Sequence, residues 1–303
     1  MKTLRTLAVL FAGPFVAAAI LAPIVFSLGG QVLDPFPWRF SQVFSRTAMI
    51  STIGFVLLLR KDLDLTSLRN RFALPEEGFT PVVRRLAIGA LFSLGSAALF
   101  FPLILFYGDL VLNDRTVATL LLKFAKIFPV AFLIGLIEES FFRGILFFRL
   151  QRSLSVTKAA LISSCLYAVV HFISPSKSFA PTEFSFTSGF SFLVVCLERM
   201  WNPEVLPAFI GLTLVGLTLC YAIQRSGSMA LIIGLHAGWV IAVKMSAALT
   251  VTAPGVVFSS PIGSRYYLVS TSLGWLSVFV VWAAIFMVSN SSFIRRGPLG
   301  AAS

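Results

Sequence analysis

The chain has 303 residues, of which 57% are hydrophobic and 12% charged, and a mean hydropathy of +0.93. Soluble domains carry about 25% charged and about 45–50% apolar residues. These values exclude a water-soluble globule, a disordered chain and a fibrous repeat, and predict a polytopic all-α membrane protein. The formal net charge of +12 would point to nucleic acid in a soluble protein. Here the basic residues flank apolar runs and are read as orienting charges in a lipid bilayer, so no nucleic-acid partner is expected.

The predicted spans number about eight. The first is Leu7–Leu28, preceded by MKTLR. It has the charged start of a signal peptide, but its length and the spans after it predict a retained helix. Further runs follow at Thr47–Leu59, Leu86–Gly108, Val117–Leu150, Ala159–Ile173, Leu206–Gln224, Met229–Ala248 and Leu268–Ser289. The second is short for the roughly 20 residues a bilayer core demands, and its border is expected to reach back into Phe40–Arg46. The stretch Pro175–Pro207 carries Phe179, Phe184, Phe186, Phe190, Phe192 and Trp201 with few charges. It reads equally as an interfacial amphipathic segment or lid, or as a surface loop with aromatic anchors.

With the N-terminus inside, fifteen Lys and Arg fall on inner segments and six on outer ones, and Lys123, Lys126 and Lys244 fall inside the runs. This bias predicts eight spans with both termini cytoplasmic. The three lysines lie near outer helix ends, where they snorkel. Cys165, Cys196 and Cys220 form no C-x-x-C spacing, which argues against a disulfide scaffold or a thiolate zinc site.

Charges deep in a membrane cost about 2.5–3.5 kcal/mol each even on the lenient insertion scale. Glu138, Glu139 and Arg143 interrupt an apolar helix. Glu139 and Arg143 stand at i and i+4 with the acid first, the favourable order for a pair. Glu138 lies about 100° around the helix and lacks that partner. The chain's only histidines, His171 and His236, both fall in apolar runs.

Depth links these residues. Glu138 lies about 16 residues before the turn near Ser153–Val156 and His171 about 16 after it, so an antiparallel hairpin sets them level. His236 lies about ten residues beyond the turn at Arg225–Ser228 and joins that level if the earlier hairpin projects further inward. A carboxylate in a dry pocket can activate water, and histidines can hold the water or donate to a tetrahedral intermediate. The same residue types also describe a His/His/Glu zinc site or a transporter's proton relay. The H-E-x-x-H spacing is absent, and so are two pseudo-symmetric halves.

EESFFR at Glu138–Arg143 resembles the E-E-x-x-x-R motif of the CPBP (CAAX prenyl protease 2-like, Abi or bacteriocin-processing) intramembrane proteases. YAVVH at Tyr167–His171 is similar to the second motif, F-x-x-x-H, with Tyr for Phe. His236 fits the start of the third motif, H-x-x-x-N, and Val240 stands in place of the Asn. The resemblance covers about Val117 to Ala248. It implies an eight-helix fold with its active site inside the helix bundle and endopeptidase activity near the C-terminus of a membrane-associated protein or peptide. It further implies that Glu138 activates water with His171 assisting, that His236 joins the oxyanion hole, and that Glu139, Arg143 and Tyr167 support the site.

No cofactor is expected on the glutamate-type mechanism. The family's metalloprotease label leaves zinc on Glu138, His171 and His236 as the other reading. Val cannot donate a hydrogen bond, so position 240 removes one side-chain donor, and Tyr167, Ser163 or Ser164 are the side chains that could replace it. An inactive member acting as an immunity or binding protein is therefore the alternative function, ahead of a transporter. The expected organisation is N-terminal spans and a cytoplasmic loop over 1–116, a protease core over 117–248, and a last span and tail over 249–303. The expected partners are a substrate with a C-terminal processing tail and the lipid bilayer, and the expected location is a bacterial inner membrane.

Overall fold

The computed structural model describes residues 2–33, 37–63, 79–107, 109–173, 179, 185–256 and 267–288. The helices are α1 (Lys2–Val32), α2 (Phe40–Leu58), α3 (Thr80–Phe106), α4 (Val117–Leu150), α5 (Val156–Phe172), α6 (Ser188–Met200), α7 (Leu206–Ser226), α8 (Met229–Leu249) and α9 (Ser272–Val288). Among the described residues, six helical segments are long and apolar enough to cross a membrane, and α5 and α9 are shorter apolar helices. The expected all-α polytopic architecture is the one observed. The second span does begin at Phe40. No sequence pattern signals the antiparallel ribbon between β1 (Leu110–Leu112) and β2 (Thr250–Thr252), in which Leu110 pairs with Thr252.

The chain forms two compact units, Met1–Leu65 with Val169–Val205, and Thr66–Ala168 with Leu206–Ser303. In the first, α1 turns Ala18, Ala19 and Ala22 towards Phe40, Val43 and Phe44 of α2. The aromatic stretch of the first unit is partly helical, contrary to the surface-loop reading. Phe192 and Cys196 of α6 stand at i and i+4, fully buried in this core. Gly189 lies so close to Ala19 that a Cβ would meet its carbonyl oxygen. Phe186 and Trp201 are exposed, and Phe184 lies outside the described residues. All three cysteines are free. Burial pushes the Cys196 thiol up to about 12.

The second unit is organised around α8. Gly227 has φ +62°, the left-handed conformation that ends α7, and its N–H bonds the Ile223 carbonyl. Ser228 then caps α8 by accepting the Leu231 N–H. This short turn sends α8 back as the hairpin partner of α7. Glycines bring α8 against α3: a Cβ on Gly234 would strike the Leu86 carbonyl oxygen, and one on Gly89 the Leu231 carbonyl oxygen. On its other side Ala237 and Ile241 of α8 pack on Ala131 of α4. Gly135, one turn before Glu139, permits the approach, since its Cβ would lie 3.0 Å from the Ile233 oxygen and 3.5 Å from the His236 Cβ.

Without a hydrophobic drive between helices in lipid, such close backbone packing supplies the association. Gly234→Val should therefore force α3 and α8 apart and destabilise the unit by about 1–3 kcal/mol. Thermal unfolding in detergent should show a lowered Tm, while Gly95→Ala, whose Cβ meets nothing within 4 Å, should leave it unchanged.

Candidate active site

Inside α4 the backbone changes character. It is α-helical to Glu139 and π-helical over Ser140–Phe147. Single π turns of this kind occur mostly at functional sites. The Ser140 hydroxyl donates to the Leu136 carbonyl at 2.5 Å where the change begins, a back-bond that bends helices. Beyond it, six consecutive residues from Phe142 to Phe147 are buried. A one-faced amphipathic helix could not bury six in a row, so this end of α4 is enclosed all round.

The two glutamates at the junction differ in environment. The Glu139 side chain is fully buried, whereas that of Glu138 is 30% exposed. Arg143 Nη1 donates to Glu139 Oε1 at 3.0 Å, as the i, i+4 spacing predicts, and both side chains are fully buried. Arg143, counted with the inner orienting charges in the sequence, is thus an interior charge. Its Nη2 donates to the Gly216 carbonyl of α7 at 3.1 Å. A Cβ on Gly216 would strike Ser164 of α5, so glycine there keeps α7 close to α5. The guanidinium also lies over the Tyr167 ring, 4.7 Å from its centroid, a cation–π contact that helps hold the charge in place.

His236 joins this cluster from α8. Its Nδ1–H donates to the same Glu139 oxygen at 2.7 Å, and Nε2 faces Glu138 Oε2 at 3.8 Å. The second distance is too long for a direct hydrogen bond. The Tyr167 ring meets the His236 ring edge-on, centroids 6.1 Å apart. The depth estimate for His236 from its turn therefore agrees with where the histidine stands. His171 is half-buried on the last turn of α5 and belongs to the first unit.

Of the side chains that could replace the missing amide, both serines have partners. Ser163 donates to the Phe142 carbonyl at 3.1 Å, and Ser164 faces Cys220 Sγ at 3.9 Å. Val240 itself packs against the cluster of Ala131, Ala237 and Ile241, beside Phe132 and Leu94. An amide there would lie on an apolar wall. Trp239, which the motif reading passed over, is buried next to it on α8. A tryptophan in an apolar run gives no sign in the sequence of having an unmet donor.

For a metal, zinc wants about four ligands at roughly 2.0–2.3 Å. Among the described residues no group of three or more His, Cys, Asp and Glu side chains is arranged to hold one. Glu139 Oε1 and His236 Nδ1 are already engaged with each other. Of the three residues that the zinc reading names, Glu138 and His236 face each other at 3.8 Å in the second unit, and His171 belongs to the first.

Residues 118–242 match the family model described as Rce1-like, type II CAAX prenyl endopeptidase. The match bears out the resemblance over the segment that carries all three motifs, and the family is one of membrane proteases. No curated protein and no solved structure matches the chain.

Removing one partner of a buried ion pair costs about 3–5 kcal/mol. Arg143→Ala should therefore lower the Tm strongly. Arg143→Lys, which keeps the charge but loses the fork to both Glu139 and Gly216, should fall between that variant and the wild type.

Proposed function

We infer, from a segment of the Rce1-like family whose two adjacent glutamates sit in different environments, that the protein is an intramembrane endopeptidase of the glutamate type. The observation that carries this is the unequal pair: Glu139 is fully buried and tied to Arg143 and His236, while Glu138 is 30% exposed and faces the free edge of the same imidazole. A buried, doubly engaged carboxylate is a positioning group. The accessible one is the base.

In the proposed reaction a water beside Glu138 gives it a proton as its oxygen adds to the scissile carbonyl carbon. The C=O electron pair moves onto oxygen. His236, braced by Glu139 through Nδ1, presents Nε2–H to that oxygen. With His236 as imidazolium, two carboxylates and two cations cancel within the cluster, which lowers the burden of burying them. The intermediate collapses with cleavage of the C–N bond, and Glu138 returns its proton to the leaving amine. Tyr167 fixes the imidazole edge and Arg143 holds the Glu139 carboxylate in place.

For His171 the assignment as an assisting group rests on the second motif alone. The substrate is proposed to be a membrane-associated protein or peptide cut near its C-terminus, as the family's description suggests. The charge asymmetry supports cytoplasmic termini in a bacterial inner membrane. A second reading, a peptide-binding or immunity protein without turnover, is favoured by one feature, the apolar wall around Val240.

The test compares cells expressing the wild type with cells expressing Glu138→Ala. Membrane and secreted fractions are searched for peptide termini that only the wild type makes. Such termini are expected, with cleavage reduced by at least about 10²-fold in the variant and with its Tm unchanged. Equal termini from two folded proteins would overturn the protease reading in favour of binding. His171→Ala, measured on the same termini, should also reduce cleavage without loss of Tm.

A further inference from the structure

The third motif lacks its amide donor, and the nearby serines are engaged elsewhere. On α8, among the described residues, one buried side-chain donor is not. Trp239 is 9% exposed, and its indole nitrogen Nε1 has no hydrogen-bond partner among the described residues. A buried N–H left unmet costs about 1–3 kcal/mol, and buried tryptophans ordinarily find a partner. Such a group in an otherwise well-packed helix is explained if its acceptor arrives with a ligand.

Its position fits an acceptor at the proposed site. Trp239 is three residues after His236 on α8, so the two side chains are neighbours on the helix surface. Helical side chains lean towards the N-terminus and cover the preceding turn, which carries the indole back towards the imidazole level. Two other sides of α8 are taken. Gly234 and Gly238 lie against α3, and Ala237 and Ile241 pack on Ala131 of α4. Trp239 is left on the His236 side, rotated away from both of those faces.

We propose that Trp239 is a substrate-contacting residue whose indole N–H donates a hydrogen bond to the scissile carbonyl oxygen, supplying beside His236 the donor that Val240 cannot. The inference rests on the protease reading. As the water oxygen bonds to the carbonyl carbon and Glu138 takes its proton, the oxygen of the former C=O gains negative charge. The Nε1–H bond then strengthens from a neutral to a charge-assisted one. When the C–N bond breaks, the charge leaves that oxygen and the bond relaxes. The indole gives up no proton at any stage. Because the contact is stronger in the transition state than in the ground state, its loss falls on kcat rather than on KM.

The experiment uses the full-length protein in lipid nanodiscs and a synthetic, internally quenched peptide. That peptide spans the cleavage site found by the comparison of termini. Trp239→Phe keeps one aromatic ring and removes the N–H together with the rest of the pyrrole ring. We expect kcat to fall by about 10²–10³-fold, KM to stay within about threefold, and Tm to be unchanged. A second variant, Trp239→His, returns a ring N–H donor at the same position and should recover at least about tenfold in kcat over Trp239→Phe.

A Trp239→Phe kcat within about twofold of wild type would overturn the inference and leave the protease reading intact. A fall in kcat accompanied by a lowered Tm would overturn it too, because the indole would then be a packing group. A fall in kcat at unchanged Tm that Trp239→His does not relieve would also overturn it, because the lost function would not be a donor's. A wild type that cleaves nothing would fail both.

Discussion

A single carboxylate oxygen, Oε1 of Glu139, accepts from two cationic or polar side chains that come from different elements. Arg143 reaches it from one turn along α4, and His236 reaches it from α8. In an apolar interior a carboxylate cannot stay ionised alone, and neither can a guanidinium. Each therefore fixes the other, and the imidazole is fixed by both. The wider fold is arranged around this contact. Gly135 lets α8 come near enough for His236 to reach, and Gly216 lets α7 supply a carbonyl to the far side of Arg143. The cost of placing charges here is met by geometry, which is also what a catalytic site needs.

This arrangement divides the labour between two neighbouring residues of one type. Consecutive helical residues point about 100° apart. One glutamate can thus face the interior while the next faces whatever enters the site. The π-helical turn that begins directly after them alters the pitch between Glu139 and the enclosed end of α4. It lets six successive side chains find cover while Arg143 still returns to Glu139. The chemistry proposed for Glu138 follows from its being the more exposed member of the pair.

The region around position 240 shows how a motif can lose a letter without losing a place. Val240 is packed on alanine, isoleucine and phenylalanine, so the apolar residue suits the wall on which it sits. The neighbouring position carries a buried indole N–H. A donor shifted by one residue points about 100° elsewhere on the helix.

Much of this was legible in the sequence, because the bilayer leaves few alternatives. Apolar runs of the right length must be helices, since no water is present to satisfy an open backbone. Hence the spans, the Glu139–Arg143 pair at i and i+4 and the depth of His236 could be read from spacing alone. The tertiary structure decided what spacing does not encode. It determined which glutamate is buried, because burial depends on the neighbours each face meets. It gave His236 to Glu139, turned the end of α4 into a π-helix, and folded part of the Pro175–Pro207 stretch into α6. It also left the Trp239 nitrogen unmet. Each of these depends on backbones brought close by glycines on other helices, and a linear pattern records the glycines without recording what they approach.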